Sequence, residues 1–150
     1  MHALAHTLRA LPFLAWLAIV ALSANASAEP ILIHNPDLQG EDFSTRSLVK
    51  VYAMQKRVWS DGTAVRVFVM PDDSETHRQF VADYLRMQPY QLNRLWHRLV
   101  FSGTGTRPRE VNSVKEMIEQ VRNTPGAIGY IDSADAGAVD AAMKTGSDHE

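Results

Sequence analysis

Apolar residues recur along this chain with two different periods, and the switches between them mark its elements. Residues 31–34 (ILIH) form a short apolar run closed by Asn35-Pro36, which reads as a buried strand and a turn. Residues 43–53 then read as a helix. Ser44 is a good N-cap, Phe43 and Leu48 occupy the two positions of a hydrophobic staple, and Leu48, Val51 and Tyr52 share one face. Residues 58–63 (VWSDGT) carry the turn pair Asp61-Gly62. Val65, Val67 and Val69 alternate with Arg66, Phe68 and Met70, the period of a strand with a buried face.

A helix is expected over residues 74–86, with Phe80, Val81, Tyr84, Leu85 and Met87 inward. Pro89 suits the first turn of the next helix, whose stripe is Leu92, Leu95, Trp96 and Leu99. Residues 102–108 (SGTGTRP) are a loop. Residues 113–122 form a further helix, with Ser113 and Glu116 at capping-box spacing. Thr124-Pro125-Gly126 stops it, and residues 127–131 (AIGYI) read as another buried strand. The Ala-, Asp- and Gly-rich remainder is expected to hold a weak helix near residues 136–143 and a flexible end. Strands alternating with helices imply a parallel sheet joined by right-handed crossovers and covered by helices, with ligands beyond the carboxyl ends of the strands.

The beginning of the chain reads differently. His2, His6 and Arg9 precede a 12-residue apolar run, LPFLAWLAIVAL, too short for a stable bilayer span. Ala26-Ser27-Ala28 follows as a small-x-small cleavage pattern. Residues 1–28 are therefore expected to be a signal peptide, residues 29–132 one α/β domain, and residues 133–150 a flexible tail. The address implies export, most simply to a bacterial periplasm; an uncleaved anchor is the alternative. Setting aside Arg9, the sole charge in residues 1–28, 14 basic and 17 acidic residues remain, a net charge of −3. Such a balance provides no general attraction to nucleic acid. The absence of cysteine excludes disulfides, a lipid-anchored cysteine and thiolate metal sites.

Candidate chemistry centres on residues 65–80 (VRVFVMPDDSETHRQF), a strand, an acidic turn and a helix start. The unpaired N–H groups of that helix N-terminus point beyond the strand's end, where an anion would find donors. Ser74 and Thr76 have two roles open to them, capping and anion contact. Asp72 and Glu75 are first-turn acids that suit the helix dipole. His34, His77, His97 and His149 show no metal-ligand spacing, so neither metal nor cofactor is expected. His77 lies within one turn of Ser74, but no third group completes a nucleophile and base, and no catalytic residue is assigned. Gly103-Thr104-Gly105-Thr106 lacks the lysine of a phosphate loop. Trp59 is open to ligand stacking or core packing, whereas Trp96 lies on its helix stripe.

The order of four segments resembles the phosphate ABC transporter substrate-binding proteins. They are residues 31–36 (ILIHNP), 47–62 (SLVKVYAMQKRVWSDG), 70–80 (MPDDSETHRQF) and 121–131 (VRNTPGAIGYI). The resemblance covers most of residues 29–131 and corresponds to one lobe of a two-lobed periplasmic protein. It implies a small three-layer parallel-sheet lobe of the type II periplasmic binding protein-like fold, a non-enzymatic role, and phosphate or another oxyanion as ligand. In the family's anion-binding turn, Asp72, Ser74 and Thr76 match the aspartate, serine and threonine. Met70 stands in place of an arginine and Glu75 in place of a glycine. Arg78, Arg107 and Arg109 are the candidates for compensating charge. A carboxylate about 4 Å from the anion opposes each charge by roughly 1 kcal/mol in water, against ~0.3–1 kcal/mol gained from an exposed helix terminus. The alternative is an envelope module that docks on a membrane sensor, a transporter or a second copy of itself and no longer binds phosphate.

Overall fold

In the computed structural model, which describes residues 29–145, four strands form one sheet in the order β1-β4-β2-β3. In chain order the elements are β1 (Pro30–His34), α1 (Thr45–Tyr52), β2 (Arg66–Val69), α2 (Glu75–Leu85), α3 (Pro89–Phe101), β3 (Arg109–Glu110), α4 (Val114–Asn123), β4 (Ala127–Asp132) and α5 (Ala136–Thr145). Short 3-10 turns follow β1 and β4. The expected signal peptide lies outside the described residues.

Serine caps fix three helix starts. Ser44 Oγ accepts from Ser47 N at 3.4 Å, Ser74 Oγ from His77 N at 3.4 Å, and Ser113 Oγ from Glu116 N at 3.1 Å. Pro89 opens α3 in the first turn, where its missing N–H costs nothing. Strand β4 is central, and its residues 127–131 are all buried. Its two faces meet different helices. A Cβ added at Gly129 would approach Met117 Sδ to 2.5 Å, so α4 packs directly onto that side. On the other side Tyr130 stacks on Phe80 of α2 at 4.0 Å between ring centroids, and Phe80 in turn meets Tyr52 of α1 at 5.0 Å. The result is the expected three-layer α/β arrangement with one continuous core.

One strand direction departs from the expectation of a parallel sheet. β2 runs parallel to both β4 and β3, but β1 is antiparallel to β4, from Pro30 opposite Asp132 to His34 opposite Ile128. The cause lies just past β1. Asn35, 4 % exposed, directs its amide at the carbonyls of Val121, Arg122 and Thr124 at 3.1, 2.8 and 3.0 Å, and its backbone N–H bonds Ala127 O at 2.8 Å. These bonds hold the end of β1 against the beginning of β4. Two-residue β3, both residues exposed, has too little pattern to be read as a strand. Trp59 is core: it is 2 % exposed and its indole N–H donates to Gly126 O at 2.9 Å.

Candidate functional site

Strand β2 delivers the chain to the acidic turn, and β4 braces it there. The Met70 N–H donates to the Tyr130 hydroxyl at 2.9 Å, and Ser74 N donates back to Pro71 O at 2.9 Å. Ser74 then caps α2. The backbone N–H groups of Glu75 and Thr76, first in the helix, have no acceptor among the described residues. Beside them stand the half-buried Ser74 and Thr76 side chains.

The three acids of the turn are disposed differently. Glu75 lies along the helix flank, its Oε1 accepting from Gln79 Nε2 at 3.0 Å and its Oε2 from Arg78 Nε at 3.1 Å. These hydrogen bonds, Arg78's first, hold its carboxyl below the usual range. Asp72 turns toward α3, where its Oδ2 accepts from Asn93 Nδ2 at 2.8 Å. Asp73 is exposed. The arginine thought able to serve the turn, Arg78, is therefore engaged with Glu75. Arg107 and Arg109 line a separate cleft along the opposite half of β2.

Behind the turn lies a buried polar pair. His77, 1 % exposed, has its Nδ1 2.5 Å from the Tyr130 hydroxyl. The phenol already accepts from Met70, and burial raises its pKa far above the ordinary value, so it donates its proton to Nδ1. Neutral His77 then carries its proton on Nε2. That atom is buried without a hydrogen-bond partner and stands 3.7 Å from Asp72 Oδ1. Asn93 Oδ1 is likewise buried and unpartnered. From the sequence, His77 was weighed as a metal ligand and as a base for Ser74, whereas Asn93 and Tyr130 were not singled out. His77 had a visible signal, since it precedes Phe80 and Tyr84 at helical spacing on the inward face.

Burial, more than Asp72 which opposes it, lowers the His77 pKa from its ordinary 6.5. A histidine held neutral in the fold contributes stability above its unfolded pKa and loses it as pH falls through the folded value. The full chain is expected to lose stability on acidification below about pH 6.5, by no more than about 1.4 kcal/mol per pH unit from this group. Urea melts across pH 7.5 to 5 on the wild type and His77→Gln would measure it. Parallel profiles for the two proteins would refute the assignment.

No protein-family model matches the chain, and no curated protein matches it in sequence. Among solved structures, PstS from Borrelia burgdorferi is similar in fold, with a TM-score of 0.56 at 16 % identity. The match covers 75 % of this chain and 44 % of that one, so this chain spans less than half of the PstS chain. A four-stranded sheet flanked by helices is thus arranged as in part of that PstS structure. Among the described residues, no helix is long and apolar enough to cross a membrane.

Proposed function

We propose that this chain is an exported, non-enzymatic solute-binding-type lobe that takes phosphate or a related oxyanion at the start of α2. Residues 1–28 are its signal peptide, residues 29–132 its binding domain, and the periplasm its compartment. The observation that carries the reading is the pair of N–H groups on Glu75 and Thr76 without an acceptor among the described residues, flanked by the Ser74 and Thr76 hydroxyls. A helix N-terminus with free donors favours an anion by both hydrogen bonding and dipole. Arg78 offsets Glu75 through their hydrogen bond, which removes the nearest repulsion. The fold likeness to PstS supports the same reading.

Asp72 decides which oxyanion suits the turn. A carboxylate beside the ligand repels a fully deprotonated anion and accepts from one that still carries a proton. Phosphate near pH 7 retains a hydroxyl and sulfate does not, so phosphate is the preferred ligand. A membrane transporter or sensor would receive the loaded lobe.

Calorimetry of the full chain with millimolar phosphate and sulfate tests this. Heat with phosphate, weaker heat with sulfate and about a fivefold loss of affinity in Ser74→Ala are expected, the loss being that of one modest hydrogen bond. No heat with either anion would overturn the reading and leave the docking module in its place.

A further inference from the structure

Four arginines gather away from the acidic turn. A cleft of about 600 Å³ opens between the segment from Lys56 to Phe68 and the loop from Gly103 to Arg109. Arg57, Arg66, Arg107, Arg109 and Lys56 all line it, and none of its lining residues is an aspartate or glutamate. Lys56 is already neutralised, its Nζ lying 2.9 Å from Glu41. Ser60 and Lys56 hydrogen bonds hold that carboxyl down at about 2.

Among the described residues the four arginines have only neutral partners. Arg57 donates to the Thr104 carbonyl. Arg107 Nη1 is 3.4 Å from His97 Nε2, and its guanidinium stands 6.0 Å above the Trp96 ring. Arg109 Nη1 reaches Gln120 Oε1 at 3.5 Å, and the exposed Arg66 side chain has no partner among the described residues. None of the four comes within ion-pair distance of a carboxylate among the described residues. This concentration of unmatched positive charge belongs to a chain of net charge −2. Four arginines lining one concavity repel one another until an anion joins them, and a guanidinium fork matches a phosphate in a bidentate way.

The rest of the lining narrows the ligand. Val51, Met54, Val65 and Val67 give the cleft an apolar part, and Thr104, Thr106 and Thr124 add hydroxyls. Its volume is that of a small-molecule site. Nucleic acid would need an extended basic track and a basic balance, and this chain carries more acidic than basic residues.

We infer that this cleft binds a soluble phosphate ester with two or more negative charges and an apolar or ring portion. The site is independent of the oxyanion turn, and either stands if the other fails. Calorimetry of the full chain with adenosine diphosphate and with pyrophosphate, at low and high salt, tests it. Adenosine diphosphate is expected to bind, to weaken with added salt and to bind more tightly than pyrophosphate, which lacks a ring. The double variant Arg66→Gln/Arg109→Gln should weaken binding at least tenfold while its thermal melt stays that of the wild type. Ser74→Ala should bind adenosine diphosphate as the wild type does. No heat with either probe at millimolar concentration, or binding unchanged in the double arginine variant, would overturn the inference.

Discussion

Gly126→Ala is expected to destabilise the domain by at least about 3 kcal/mol. Gly126 has φ +73°, where a side chain is strained, but the larger effect is contact. A Cβ there would stand 2.1 Å from the Ala64 carbonyl oxygen and 2.9 Å from Thr63 Cγ2. The obstacle is largely backbone and cannot rotate away. Relief would require moving either the segment entering β2 or the residue leading into β4. Both are tied through Gly126 O, which accepts from Arg66 N at 3.0 Å and from the Trp59 indole at 2.9 Å. Urea unfolding of the full chain followed by circular dichroism measures the change. A variant within about 1 kcal/mol of wild type would show that the close approach is absent in solution.

Asn35→Ala should cost about 2–4 kcal/mol, because one small amide serves three carbonyls at the end of α4 and, through Oδ1, the N–H of Asp37 at 3.0 Å. Those carbonyls are the acceptors that a helix end leaves unpaired, and they are shielded from water here. Asn35→Asp keeps the shape and is expected to be worse at neutral pH. It would place a negative carboxylate, without its N–H donors, against the oxygens of Val121, Arg122 and Thr124. Its folded pKa must then rise above the unfolded value near 3.9. A raised pKa means that stability is present below the unfolded pKa and lost as pH rises through the folded one. Compared with wild type, the Asp variant should therefore recover part of its deficit at pH 4. Thermal melts at pH 4 and 7.5 decide the matter, and a deficit independent of pH would refute the account.

These two residues also show how far the sequence could be read. Caps are local, so Ser44, Ser74 and Ser113 were identifiable as helix starts from a few neighbouring residues. The apolar alternation around β2 and the buried run of β4 likewise carried their own signals. Strand direction is not local. An apolar run such as 31–34 is the same read either way, and only the bonds from Asn35 to residues about 90 positions onward turn β1 against β4. The same limit governs the sites. The acidic turn was visible because its residues are consecutive. The cleft was not, since Arg57 and Arg66 come from one segment and Arg107 and Arg109 from another, and each arginine alone looks like an ordinary solvated charge. The pairing of Arg78 with Glu75, three residues earlier on the same helix, is by contrast local and follows from their spacing.

The antiparallel pairing of β1 has a consequence for how this body can be joined to others. Pro30 lies opposite Asp132, and Ser133 N donates to Glu29 O at 2.8 Å, so the polypeptide enters and leaves the sheet side by side. Everything between those points forms a closed excursion with a single narrow neck. Such a body can be spliced into a surface loop of a host protein without prising the host's loop ends apart.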